Sequence, residues 1–354
     1  MPSNYIKAQK EKLAAIKSKK DIFVLGIETS CDETAASVVK NGRDILSNVV
    51  FSQIPMHTLY GGVVPEIASR AHTEKIDIVV SEALKQSGLD LSDIDAIAVT
   101  KGPGLVGALL VGVSYAKALA YASDKPLIGV NHIEGHICAN YLSFKDLNPP
   151  GLCLVVSGGH SHIIDVDAND SYTLVGCTQD DAAGEAFDKA ARVLGLGYPG
   201  GPKLDAVSKT GDDSFLSLPH PKTQGKYDFS FSGLKTAFIN TLHNMQQKNI
   251  PYSVKDCAAS FQKAVVDLLV EKTMLAVQDK NVDTLLIAGG VSANSLLRKR
   301  FTEECQKTGT SLYMPELFLC GDNAAMIAAA GHRQLLKGNL AELSLNAEPA
   351  LKLI

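Results

Sequence analysis

Two histidines four residues apart, in the run His132-Ile133-Glu134-Gly135-His136, carry the clearest chemical signal in the chain. At about 3.6 residues per turn they fall on one face of a helix, where both rings can reach one divalent metal. The spacing invites a zinc-protease reading, and the glutamate opposes it. In H-E-x-x-H the general base directly follows the first histidine. Here Glu134 lies two residues on, about 200° around the helix at roughly 100° per residue, and points away from the metal face. A zinc-deaminase reading fails as well, because no P-C-x-x-C follows. If a metal sits here, the helix supplies two of its ligands, and the reacting groups come from elsewhere.

Buried-strand patterns place the other candidate groups. Phe23 to Glu28 reads as a strand that ends in the turn Thr29-Ser30-Cys31-Asp32-Glu33-Thr34, with further strands over 35–40 and 44–52. A helix follows over 66–87, then a strand over 96–100, the break Gly102-Pro103-Gly104 and a small-residue helix over 105–122. A strand over 127–130 runs straight into the His132 helix. At 152 the pattern restarts: strand 152–156, the turn Ser157-Gly158-Gly159-His160-Ser161, and a returning strand to Val166. This echoes 23–39 and suggests two related halves joined near 130–150. Helices dominate 182–280, strand 284–288 ends in Gly289-Gly290, and Asp322-Asn323 opens a last helix to about 336. Strands alternating with helices imply an α/β sandwich in each half.

The 354 residues suffice for two domains with sizeable cores, and 45% hydrophobic with 20% charged residues is ordinary for a soluble globular chain. No apolar run approaches the roughly 18 residues needed to cross a bilayer, so no membrane role is expected. Seven dispersed cysteines without a C-x-x-C pair suit a reducing compartment. No signal-peptide pattern opens the chain, and the Lys-rich stretch 1–20 has Glu11 and no Arg, unlike a mitochondrial presequence. The expected location is the bacterial cytoplasm. A net charge of −4 does not mark a nucleic-acid binder. The local clusters Arg298-Lys299-Arg300 and Lys222/Lys226/Lys235 read from charge alone as solvated surface.

Four glycine-rich or polar turns follow buried strands, at 28–34, 102–107, 157–161 and 289–294. Ligands in open α/β sheets sit beyond the carboxyl ends of strands, and glycine there lets backbone N–H groups approach phosphates. No turn matches a Walker A or a complete G-x-G-x-x-G, so neither a P-loop enzyme nor an NAD-binding Rossmann domain is supported. Together the turns point to a nucleotide held between two lobes.

The motifs 26–34 (GIETSCDET), 132–136 (HIEGH), 156–160 (VSGGH), 184–189 (GEAFDK), 200–205 (GGPKLD), 229–236 (FSFSGLKT), 289–294 (GGVSAN) and 321–328 (GDNAAMIA) occur in order. As a set they resemble the tRNA adenosine threonylcarbamoyltransferases, a family once labelled O-sialoglycoprotein endopeptidase. The resemblance runs from about 22 to 340, leaving out the first twenty residues and the last dozen. It implies a two-lobed actin-like, Hsp70-like ATPase fold: an extension over 1–21, a first lobe over 22–130, and a second over 131–354 with a helical insertion at about 182–280. The C-terminal helix would return to the first lobe. It further implies transfer of threonylcarbamoyl from threonylcarbamoyl-adenylate to N6 of adenosine 37, in tRNAs reading codons that begin with A.

By the same resemblance His132, His136 and Asp322 would hold one divalent metal per subunit, Fe(2+) ahead of Zn(2+). Val155, Val156, Ser157, Gly158, Gly159 and His160 would contact the substrate, and Asp188, Gly201, Asp205 and Asn294 its nucleoside end. Partners by resemblance to bacterial members would be a degenerate actin-like paralogue and a small P-loop ATPase. The adenylate is already activated, so no Ser or Cys nucleophile is needed. N6 must lose a proton as it attacks, and Asp32 in the first turn is the candidate base or orienting group. His160 and His162 alternate along a presumed strand, so one of them alone is expected to face the site. The remaining histidines are read as structural, and Cys31 as unreactive.

Overall fold

In the computed structural model, which describes residues 2–354, helix α1 (Pro2–Lys17) precedes a five-stranded sheet. Strands β1 (Phe23–Glu28), β2 (Glu33–Lys40) and β3 (Asp44–Ser52) form an antiparallel meander. Helices α2 (Ile54–Thr58) and α3 (Pro65–Ser87) lead to β4 (Ala96–Gly102), helix α4 (Val106–Ala122) and β5 (Leu127–Asn131). The sheet order is β3-β2-β1-β4-β5, with β4 parallel to both β1 and β5. β1 is central and buried along almost its whole length, as a strand covered on both faces must be. β5 passes without a gap into helix α5 (His132–Ser143), whose start is capped by the Asn131 side chain accepting from Ile133 N at 2.9 Å.

The plan then repeats. β6 (Gly151–Val156), β7 (Ser161–Val166) and β8 (Tyr172–Cys177) form a second antiparallel meander. Helices α6 (Ala183–Val193), α7 (Gly200–Ser208), α8 (Ser232–Gln247) and α9 (Val254–Lys280) follow, then β9 (Thr284–Ala288), α10 (Ser295–Thr308) and β10 (Ser311–Tyr313). The order β10-β9-β6-β7-β8, with β9 parallel to β6 and β10, has the same connectivity as the first sheet. The core beneath is aromatic: Phe187, Phe229, Phe231, Phe238, Phe261 and Phe301 are each at most 1% exposed. Residues 209–231, inside the stretch read as mainly helical, are irregular; Pro219, Pro221 and Gly225 break any helix there, and a bridge from Thr178 to Phe229 pins the segment.

A short helix α11 (Leu317–Cys320) and the 14-residue α12 (Ala324–Lys337) follow. The molecule divides into two units, one holding the chain up to Leu147 with Pro315–Leu353, the other Asn148–Met314. Helix α5 goes with the first unit, past the boundary at 130 read from the sequence, because it packs along α12. Gly135 allows this: a Cβ there would meet Ile327 Cδ1 at 2.7 Å. α12 lies on the first sheet through two more small positions. A Cβ on Gly26 would come within 2.4 Å of Ala324 O, and one on Gly331 within 2.4 Å of the Ala98 Cβ.

Candidate metal centre and nucleotide-binding face

That close packing decides where Asp322 stands. Asn323 caps α12, its side chain accepting from Met326 N at 3.0 Å, so Asp322 is fixed immediately before the helix. Its Oδ1 lies 3.4 Å from His132 Nε2 and 3.3 Å from His136 Nε2. One ligand atom from each of the three residues lies within 4.8 Å of the others. Atoms about 2.1 Å from a shared cation at tetrahedral angles are roughly 3.4 Å apart, so the spacing fits a metal. His136 Nδ1 is buried without a hydrogen-bond partner among the described residues, and Nε2, although 3.3 Å from Asp322 Oδ1, makes no aligned hydrogen bond, which is costly unless something else takes the lone pair.

Glu28, at the end of β1, completes the arrangement. Its Oε2 lies 3.0 Å from His132 Nδ1 and accepts from Thr100 Oγ1 at 2.6 Å, while Ser30 N donates to Oε1. Ser30 Oγ lies 3.2 Å from the same His132 nitrogen. A carboxylate on Nδ1 fixes the ring and presents Nε2, the arrangement common behind metal-bound histidines. Burial works against a charged His132, but Asp322 and Glu28 outweigh it and hold the imidazole well above its usual range. Burial likewise opposes ionised Asp322 and Glu28, and the His132 charge holds both below the ordinary carboxylate range. The geometry thus gathers positive charge between the buried Glu28 carboxylate and the partly exposed one of Asp322. Sequence reasoning missed Glu28; the available signal was a carboxylate at the end of a fully buried strand, which needs a partner.

Asp32 is buried in the turn after β1, and its carbonyl accepts from Gln53 N at 2.9 Å. Next to it, burial and then the Asp322 and Asp32 carboxylates push Glu33 up to about 10, so Glu33 keeps its proton at neutral pH. The Cys31 thiol is pushed well above its usual value, first by burial and then by Asp32, which excludes a ready thiolate. Glu134 is buried and accepts from Gln334 Nε2 at 2.5 Å; it ties α5 to α12.

The remaining candidate residues belong to the second unit, at the carboxyl ends of β6 and β9. Val155 and Val156 close β6, and Ser157 to His160 form the turn, with Ser157 N donating to His160 O at 2.8 Å. Gly289 (φ +88°) sits against the Val156 carbonyl, where a Cβ would come within 2.3 Å, and Gly184 packs on Ser157 in the same way. Gly158 and Gly159 have nothing within 4 Å of a built Cβ, so the turn presents open backbone. Asp188 Oδ1 accepts from Gly200 N (2.8 Å) and Gly201 N (3.2 Å), holding the start of α7. Asp205 Oδ1 accepts from Ser295 Oγ at 2.7 Å. Asn294 caps α10 at Leu297 N (3.0 Å) and donates to Gln262 Oε1 at 2.9 Å. A cavity of about 380 Å³, lined in part by Ser208, Gln262, Ser295 and Lys299, opens beside them. Asp188, Gly201, Asp205 and Asn294 themselves do not line it.

One histidine reading changes. His160 precedes β7 rather than lying on it, so strand alternation does not apply, and its ring meets that of His162 edge-on at 5.4 Å. Among the described residues most of the two basic clusters is already engaged, Lys222 excepted. Arg300 pairs with Asp267, Arg298 Nη1 donates to Ser292 O at 3.1 Å, Lys226 pairs with Asp279 and Lys235 with Asp181.

Paired α/β units, each with a five-stranded sheet of the same connectivity, define the actin-like ATPase fold. The chain is similar to the (R)-2-hydroxyglutaryl-CoA dehydratase component A of Acidaminococcus fermentans, with a TM-score of 0.52 at 14% identity, covering 89% of this chain and 99% of that one. It is also similar to T. kodakarensis HypF, with a TM-score of 0.57 at 13% identity over 90% of this chain and 48% of that one. At such identities the likeness speaks for fold alone. Within that fold class the family model for tRNA N6-adenosine threonylcarbamoyltransferase matches residues 44–329. Enzymes of that name from Clostridium perfringens and Caldicellulosiruptor saccharolyticus are each 55% identical, covering 94% of this chain and 98–99% of theirs. The chain belongs to the tRNA N6-adenosine threonylcarbamoyltransferase family. Among the described residues no helix is long and apolar enough to cross a membrane.

Proposed function

We propose that the chain transfers threonylcarbamoyl from threonylcarbamoyl-adenylate to N6 of adenosine 37, in tRNAs reading codons that begin with A. The reading is carried by identity of 55% along nearly the whole length of relatives bearing that activity's name. His132, His136 and Asp322 would hold one divalent metal; the donor set suits Fe(2+) or Zn(2+), and the family resemblance puts Fe(2+) first. When bound, it would supply Lewis acidity toward a phosphate or carbonyl oxygen. Glu28 orients His132. The turn 155–160 receives the activated acyl phosphate through its open backbone, and Asp188, Gly201, Asp205 and Asn294 hold the nucleoside end. Asp32 takes the proton that N6 loses as its nitrogen bonds to the carbamoyl carbon and the adenylate's phosphate leaves.

A metalloprotease would need Glu134 as its base, and that side chain is spent on Gln334. A degenerate actin-like paralogue and a small P-loop ATPase are the proposed partners, in a bacterial cytoplasm. The test incubates the chain with threonylcarbamoyl-adenylate, unmodified tRNA and those partners, then analyses the nucleosides by mass spectrometry. Formation of N6-threonylcarbamoyladenosine is expected, and its absence under every combination overturns the reading.

Two substitutions separate positioning from ligation. Glu28→Gln removes the charge behind His132 without changing side-chain length, and metal affinity should fall about 10- to 100-fold in a chelator competition. Unchanged affinity would remove Glu28 from the centre. Asp188→Asn keeps an oxygen that can accept from Gly200 and Gly201, so the fold should hold. Adenylate affinity should drop at least several-fold with metal content intact, because a charged acceptor for ribose hydroxyls is lost. Identical affinity by calorimetry would place the ribose elsewhere.

A further inference from the structure

The first helix carries charge that the site does not use. Residues 1–20 hold six lysines and one glutamate, a net +5 that leaves −9 for the rest of a chain whose total is −4. The helix is fastened down. Tyr5, Gln9 and Ile16 are buried, Tyr5 Oη donates to Lys125 O at 2.5 Å, and Gln9 Nε2 donates to Asp124 Oδ1 at 2.8 Å. Lys12 pairs with Asp124 at 2.5 Å, and just beyond the helix Lys19 pairs with Asp95 at 2.5 Å.

Lys7, Lys10 and Lys17 are left exposed, with no ion pair or side-chain hydrogen bond among the described residues. At about 100° per residue they fall within an arc of roughly 80°, beside the buried stripe, and at about 1.5 Å per residue they span roughly 15 Å. A lysine row on a helix is commonly plain solvated surface. Here the row is rigidly mounted, has Glu11 as its one acidic neighbour on the helix, and is set on an acidic body most of whose other basic clusters are engaged, so it is suited to a polyanion.

We propose that α1 is a docking face for the tRNA backbone, with Lys7, Lys10 and Lys17 each facing a phosphate. The proposal rests on the transferase reading for its choice of polyanion. Such contacts position a nucleic acid without reading its sequence, and each one releases counterions. The test replaces the three lysines by serine in the full-length protein, with a second variant carrying arginine at all three positions. Labelled tRNA is titrated at several salt concentrations, with and without partner proteins.

The serine variant should bind tRNA ten-fold or more weakly at low salt, and its slope of log affinity against log salt should flatten by about 0.7–0.9 per lost contact. The arginine variant should bind like the parent. In steady-state assays KM for tRNA should rise while kcat at saturating tRNA is kept, and melting temperature should not move. Equal slopes and affinities for parent and serine variant overturn the proposal. Vesicles containing phosphatidylserine form a second arm: lysine-dependent vesicle binding with an unchanged tRNA slope overturns it too, in favour of a lipid surface. Failure of the transferase reading is distinguishable, since no modified nucleoside would then form with the parent at any tRNA concentration.

Discussion

Replacing both imidazoles of α5, as His132→Ala with His136→Ala, should give a folded chain that retains less than about a tenth of an equivalent of metal. The expectation follows from the donor set: Asp322 alone cannot hold a transition-metal ion against water, whereas the two ring nitrogens 3.3 and 3.4 Å from its oxygen can. Transfer should fall about a thousand-fold or more, the scale of losing several kcal/mol of charge stabilisation. The fold should survive because α5 keeps its cap at Asn131 and its packing through Gly135. Glu28 loses its charged partner but keeps Thr100 Oγ1 and Ser30 N, so the cost is about 3–5 kcal/mol at most. Elemental analysis and circular dichroism on the same preparation check both halves. Full metal occupancy in a folded double variant would put the ion elsewhere.

Local spacing made eight of the ten described strands, most of the helices and the paired histidines legible, because periodicities of 2 and 3.6 are written in consecutive residues; β8, half exposed, and the three-residue β10 carry too little pattern to be read. The repeated sheet plan was visible as two similar strand–turn–strand runs, at 23–39 and 152–166. What stayed hidden are pairings between residues far apart in the chain. Glu28 reaches His132 across 104 positions and Thr100 across 72. Glu134 reaches Gln334 across 200, so its helical angle showed where it did not point and not what it did. The basic run 298–300 read as surface charge, but Asp267, which engages Arg300, is 33 residues away. His160 was misread by one position: the turn consumes it, so the alternation begins only at Ser161. His72, read simply as structural, has a definite task. Its Nε2 lies 2.9 Å from the Cys31 carbonyl and its Nδ1 2.8 Å from Thr34 Oγ1, so it braces the turn that carries Asp32.

Gly26→Val should remove the metal without touching a ligand. A Cβ at this position would lie 2.4 Å from Ala324 O and 2.7 Å from Ala328 N, both backbone atoms of α12, so no rotamer change relieves the clash. The helix must lift from β1, and it carries Asp322 at its start away from α5. Destabilisation of about 3 kcal/mol or more is expected, above the ordinary cost of overpacking because backbone must move. Gly135→Ala grades the same effect. Its nearest neighbour is the Ile327 Cδ1 methyl at 2.7 Å, the end of a side chain that can turn aside, so about 1 kcal/mol and partial metal retention are expected. Gly233→Ala supplies the opposite sign: nothing lies within 4 Å, the site is in the first turn of α8, and a gain of up to about 1 kcal/mol is expected. Denaturant midpoints and metal content for the three variants should therefore rank in the order 233, 135, 26. If Gly26→Val unfolds like the parent and binds metal normally, then α12 does not fix Asp322 through its contact with β1.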